Sequence, residues 1–91
     1  MIKWTDGTSY SKSEKERIPR VWRAKIKTMD IIIHRIHGIP GWYLTSRYLN
    51  IKDYALTYED IEQCKTRVED IVKKSLYSNI REMQDILAEI G

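Results

Sequence analysis

The chain has no phenylalanine, a single cysteine, two prolines and four glycines in 91 residues. One cysteine, Cys64, excludes an intramolecular disulfide framework and points to a reducing compartment. The longest purely apolar run is Ile31–Ile33, far short of the ~20 residues that span a bilayer. Around Lys3, Trp4 and Asp6 there is no signal-peptide apolar region, so a cytosolic location is expected. No serine sits in a Gly-x-Ser-x-Gly elbow, and no glycine-rich phosphate loop is present.

What is present bounds the class. Ninety-one residues make one domain with a thin core. An apolar share of 42% is enough to fold. The aromatics are all Trp and Tyr, which suit the boundary between core and water. Charge and rhythm both change near Tyr54–Thr57. Residues 1–54 hold 11 Lys/Arg against 5 Asp/Glu, a net of +6; residues 55–91 hold 5 against 8, a net of −3.

Three segments follow: 1–17 as an arm or loop, 18–56 as a basic β-meander, and 57–91 as a helical segment. Val21–Lys27 alternates, with Trp22, Ala24 and Ile26 on one face and Arg23, Lys25 and Lys27 on the other. Ile31–His37 reads as a central strand, with Ile32 and Ile36 competing against Ile31 and Ile33 for the core. Gly38-Ile39-Pro40-Gly41 reads as a turn, Trp42–Leu49 as the third strand, and Asn50–Asp53 as a polar turn. Thr57 is expected to cap a helix that carries Ile61, Cys64, Val68, Ile71, Val72 and Leu76 at helical spacing. Ile80, Met83, Leu87 and Ile90 continue that stripe beyond the reach of a three-stranded sheet. Either the chain bends at Tyr77–Asn79, or the stripe meets a second chain. The expected fold is α+β: a three-stranded antiparallel meander, order 1-2-3, packed on a long C-terminal helix, kinked or straight. The expected core is Trp22, Ala24, Ile26, Ile31, Ile33, Trp42, Leu44, Leu56, Ile61, Cys64, Val68, Ile71, Val72 and Leu76.

Chemistry-bearing clusters are few. His34 and His37 lie three apart on a strand, so their rings diverge, and with Cys64 they do not make a zinc set. Cys64 falls on the buried side of the helix, where a thiol is inert. Glu59/Asp60 and Glu69/Asp70 belong to a solvated helix face, with Glu69–Lys73 and Asp70–Lys74 at pairing distance. No catalytic residue, metal ligand or cofactor is expected. The one dense cluster is basic. Arg17, Arg20, Arg23, Lys25 and Lys27 fall within eleven residues, Arg35 and Arg47 lie on following strands, and Tyr43 and Tyr48 are interleaved. That pattern fits an acidic protein partner, a nucleic acid, or an ordinary solvated strand.

Thr8-Ser9-Tyr10-Ser11, Lys15-Glu16-Arg17-x-Pro19-x-x-Trp22, Ile31-x-Ile33-His34-Arg35 and Pro40-Gly41-Trp42 resemble small uncharacterised proteins encoded by phages and prophages. The resemblance covers about the first half of the chain. It implies a non-enzymatic protein that binds a host or phage complex in the bacterial cytosol, as anti-CRISPR and related anti-defence inhibitors do. The basic half departs from the acidic DNA-mimic type of inhibitor. The alternative is nucleic-acid binding through Arg23, Lys25, Lys27, Arg35 and Arg47 on one sheet face. Ile80, Met83, Leu87 and Ile90 are the expected homodimer contacts.

Overall fold

A computed structural model describes residues 2–91; of the expected arm, Met1 lies outside the described residues. The fold is α+β. Strands β1 (Thr5–Asp6), β2 (Val21–Ile26), β3 (Met29–Ile36), β4 (Ile39–Ser46) and β5 (Ile51–Ala55) precede one helix, α1 (Ile61–Ile90). The sheet is an antiparallel meander of order β1-β2-β3-β4-β5. The expected three strands are its centre, and each edge adds one.

The boundaries shift for local reasons. β2 and β3 join through a two-residue turn, Lys27-Thr28, with Ile26 opposite Met29. Met29 therefore begins β3, ahead of the expected start at Ile31, and is buried. β3 and β4 turn at His37-Gly38, with Ile36 opposite Ile39 and Gly38 at φ 77°. Of the expected turn Gly38–Gly41, Gly38 does lie in the turn, while Ile39, Pro40 and Gly41 open β4. There the register slips, with Gly41 at φ 102°, and Pro40 lacks the N–H that a regular ladder needs. Of the expected polar turn Asn50–Asp53, the last three residues instead open β5, an edge strand whose charges are compatible with solvent. Asn50 turns the chain at φ 56°, which asparagine tolerates.

The helix begins at Ile61, not after Thr57. Asp60 is the N-cap, its Oδ1 accepting the Glu62 N–H at 3.3 Å. Thr57 sits at φ 62°, in the link from sheet to helix. The helix is unbroken for 30 residues, about 45 Å at a rise of ~1.5 Å per residue. The helix is not broken at Tyr77–Asn79. Gly91, at φ 99°, ends the helix by donating its N–H to Leu87 O. Among the described residues no helix is long and apolar enough to cross a membrane.

Ala24, Met29, Ile31, Ile33, Trp42, Leu44, Leu56, Cys64, Val68 and Val72 form the core between one sheet face and the first half of α1. Ile31 and Ile33 point inward, which settles the parity of β3. Ile26, expected inside, is 41% exposed, because it stands at the end of β2 where the sheet runs out. Trp22, Ile61, Ile71 and Leu76 pack at the margin. Trp42 Nε1 donates to Glu59 O at 3.1 Å, fixing the helix start near the β3–β4 turn. α1 then runs toward the opposite end, where Ile26, Met29, Val72 and Leu76 line one groove, and leaves the sheet there.

Candidate binding surface

Antiparallel pairing places laterally opposed residues on one face. Three rows follow from the register on the face turned away from α1. The first is Val21, His34, Tyr43 and Ala55; the second is Thr5, Arg23, Ile32 and Thr45; the third is Lys25 and Asp30. Among the described residues no helix covers this face. Such one-sided burial is the ordinary condition of an antiparallel sheet.

Arg23 and Lys25 are exposed on it, and Lys27 stands at the adjoining turn. Among the described residues none of the three makes an ion pair. The stem of Arg23 lies over Gly7, where an added Cβ would come within 2.7 Å of its Cδ. A shallow groove beside it is lined by Lys3, Arg23, Lys25 and Ile32. Lys3 is a basic member of this surface that strand alternation alone did not reveal, because it precedes β1. Its signal is register: Thr5 opposes Arg23, which brings Lys3 level with Lys25.

Other expected residues lie elsewhere. Arg35 is on the helix-side face, its guanidinium 4.1 Å from the centre of the Trp42 ring and 4.0 Å from Glu59. Arg47 and Tyr48 occupy the β4–β5 turn. Arg20 is engaged by Glu14 at 3.2 Å and donates to Ser9 O at 2.9 Å. Arg17 and Arg20 both stand over the Tyr10 ring, at 5.0 and 5.6 Å. The segment expected to be an arm is thus tied to the sheet. Thr8 Oγ1 accepts the N–H groups of both Arg20 and Val21. Arg23, Lys25, Lys27, Arg35 and Arg47 do not form one continuous face.

The open face also carries a polar cluster. His34 Nε2 lies 2.8 Å from Thr45 Oγ1 and 3.3 Å from Asp53 Oδ1. Thr45 Oγ1 donates to Asp53 Oδ1 at 3.4 Å and accepts the Asp53 N–H at 3.1 Å. A hydroxyl, an imidazole and a carboxylate invite a nucleophilic reading. In a triad, however, the carboxylate holds the ring nitrogen remote from the nucleophile. Here Thr45 and Asp53 approach the same nitrogen, and Nδ1 faces Arg35 O at 3.3 Å. The cluster ties three strands together. Tyr43 lies beside His34, with ring centroids 6.4 Å apart, and donates its hydroxyl to Pro40 O.

Cys64 is fully buried and donates its S–H to Tyr58 O at 3.3 Å; burial pushes its thiol pKa up. Among the described residues no three His, Cys, Asp or Glu side chains converge as a metal site would need. At the far end of α1, Ile80, Met83, Leu87 and Ile90 are exposed, and Ile86 joins them. Compared with known proteins, the chain matches no family model, no curated protein and no solved structure.

Proposed function

We propose that this chain is a small non-enzymatic binding protein of the bacterial cytosol, of phage origin, that docks through its open sheet face on an acidic surface of a host or phage protein complex. An inhibitor of a bacterial defence system is the setting that its resemblance suggests. The observation that carries the reading is the set of unpaired cations, Arg23, Lys25 and Lys27, beside half-buried Ile32 and Tyr43 on a face no element covers. An apolar centre with a charged rim is the usual anatomy of a protein interface.

A nucleic acid is the second reading. It has less support, because its five cations are divided. Arg35 stacks on Trp42 behind the sheet, and Arg47 and Tyr48 stand in a turn. Tyr43 is the aromatic left on the open face, and two carboxylates, Asp30 and Asp53, share that face.

Affinity capture from a nuclease-treated bacterial lysate separates the two. The expected result is a stoichiometric protein retained by the wild-type chain and lost with the Arg23→Glu/Lys25→Glu/Lys27→Glu variant. Capture that survives the triple reversal overturns the docking face. Retention of nucleic acid before nuclease treatment favours the second reading if binding weakens steeply with salt. The expected slope is about −0.9 in log K per phosphate contacted on duplex DNA.

A further inference from the structure

The second half of α1 leaves the body with its apolar side uncovered. Ile80, Met83, Ile86, Leu87 and Ile90 are 50–79% exposed. At about 100° per residue, the stripe Leu76, Ile80, Met83, Leu87 and Ile90 shares one side of the helix with Val72 and Lys73. Those two residues, Leu76 and Glu69 form the helix wall of the groove whose other wall is Ile2, Ile26 and Met29. The stripe therefore runs into an apolar groove on the same molecule. The chain's own helix tip cannot turn back to fill it, because the helix is continuous.

We propose that two copies of this chain pair their helices antiparallel about a two-fold axis, each seating Ile90 in the other's groove. Three observations point to a second copy. First, the stripe is self-compatible: Tyr77, Asn79, Gln84 and Ile86 flank it, and none is charged. Arg81, Glu82, Asp85 and Glu89 all fall on the far side of the helix, so no like charges meet across the seam in either direction. Second, the ends are complementary. Residues 77–91 hold one Arg against three acids, a net of −2, and the rest of the chain holds a net of +5, within the total of +3. The acidic tip would enter beside Lys73, which lines the groove together with Glu69. Third, the lengths agree. An axis between Ile80 and Met83 sets Ile90 opposite the stretch Val72–Leu76, which the groove occupies. A two-fold axis makes both contacts at once, as an isologous interface requires.

Sedimentation equilibrium and short bis-maleimide cross-linking test the pairing. The wild-type chain should be a dimer at tens of micromolar, and Leu87→Asp a monomer. Leu87 is outside the core, so near-ultraviolet dichroism of Trp22 and Trp42 should stay native in that variant. In a mixture of Lys73→Cys and Ile90→Cys chains, the antiparallel dimer should yield the mixed product. A monomeric wild type, or a Leu87→Asp variant that remains dimeric, overturns the proposal. Products linking 90 to 90 and 73 to 73, without the mixed one, show parallel pairing and overturn it as well. Docking on an acidic partner through the sheet does not depend on this result.

Discussion

His34 and Asp53 meet across an intervening strand: Nε2 of one lies 3.3 Å from Oδ1 of the other, with Thr45 Oγ1 bonded to both. Asp53 reaches this position from a register slip in β5, at φ 50°. The arrangement anchors the edge strand to the centre of the sheet. Thr45→Val preserves shape and removes the hydroxyl that serves both side chains and the Asp53 N–H. It should lower stability by roughly 1–2 kcal/mol in urea unfolding. A change within error would show that water replaces the hydroxyl and that the cluster does not anchor β5.

Thr57 is β-branched and stands at φ 62°, a conformation that costs roughly 1–2 kcal/mol outside glycine. Thr57→Gly should therefore raise the urea midpoint, with a gain of about 1 kcal/mol after the added freedom of the unfolded chain is counted. Thr57→Ala, which keeps a Cβ, should bring no such gain. Equal effects of the two would place the benefit in the lost side chain and not in the backbone.

The core is thin, so truncation within it should be severe. Ile33 is fully buried, and Ile33→Ala should cost about 2–5 kcal/mol, enough to unfold much of the population at 37 °C. Ile26→Ala, at a 41% exposed position, should cost clearly less. The comparison is made in the monomeric Leu87→Asp background, where no second chain closes the groove around Ile26; comparable losses there would mean that Ile26 is packed within one chain.

Acid should loosen the segment between β1 and β2 before it melts the sheet. Hydrogen bonds from Thr8 and Tyr10 hold the Asp6 carboxyl below its ordinary value, and the bond from Arg20 does the same for Glu14. A depressed folded pKa means that stability is present above the unfolded values, 3.8 and 4.5, and is lost as pH falls through the folded ones. The Tyr10 ring resonances should shift toward random-coil positions below about pH 4 while amides of β3 and β4 stay protected. Simultaneous loss of both would show that the segment and the sheet melt together.

Much of the fold was legible because burial imposes period. β2, β3 and β4 alternate against the core, and Cys64, Val68 and Val72 recur on one side of α1. β5 was not legible: Lys52 and Asp53 disfavour a strand locally, and the pairing partner β4 supplies the strand instead. Thr57 resembled a cap by residue type, but the chain has still to turn from sheet to helix there, and Asp60 takes the role. The candidate surface was half legible. Alternation placed Arg23 and Lys25 on the open face. It could not show that Arg20 is held by Glu14, or that Arg35 turns to Trp42, since both depend on contacts distant in sequence.

Lysine acetylation footprinting of the captured complex tests the docking face most directly. Binding through the open face predicts that Lys3, Lys25 and Lys27 lose reactivity in the complex relative to the free chain, while Lys12 and Lys15 keep theirs. Unchanged labelling at Lys25 and Lys27, with protection confined to Lys73 in the helix groove, would contradict the account.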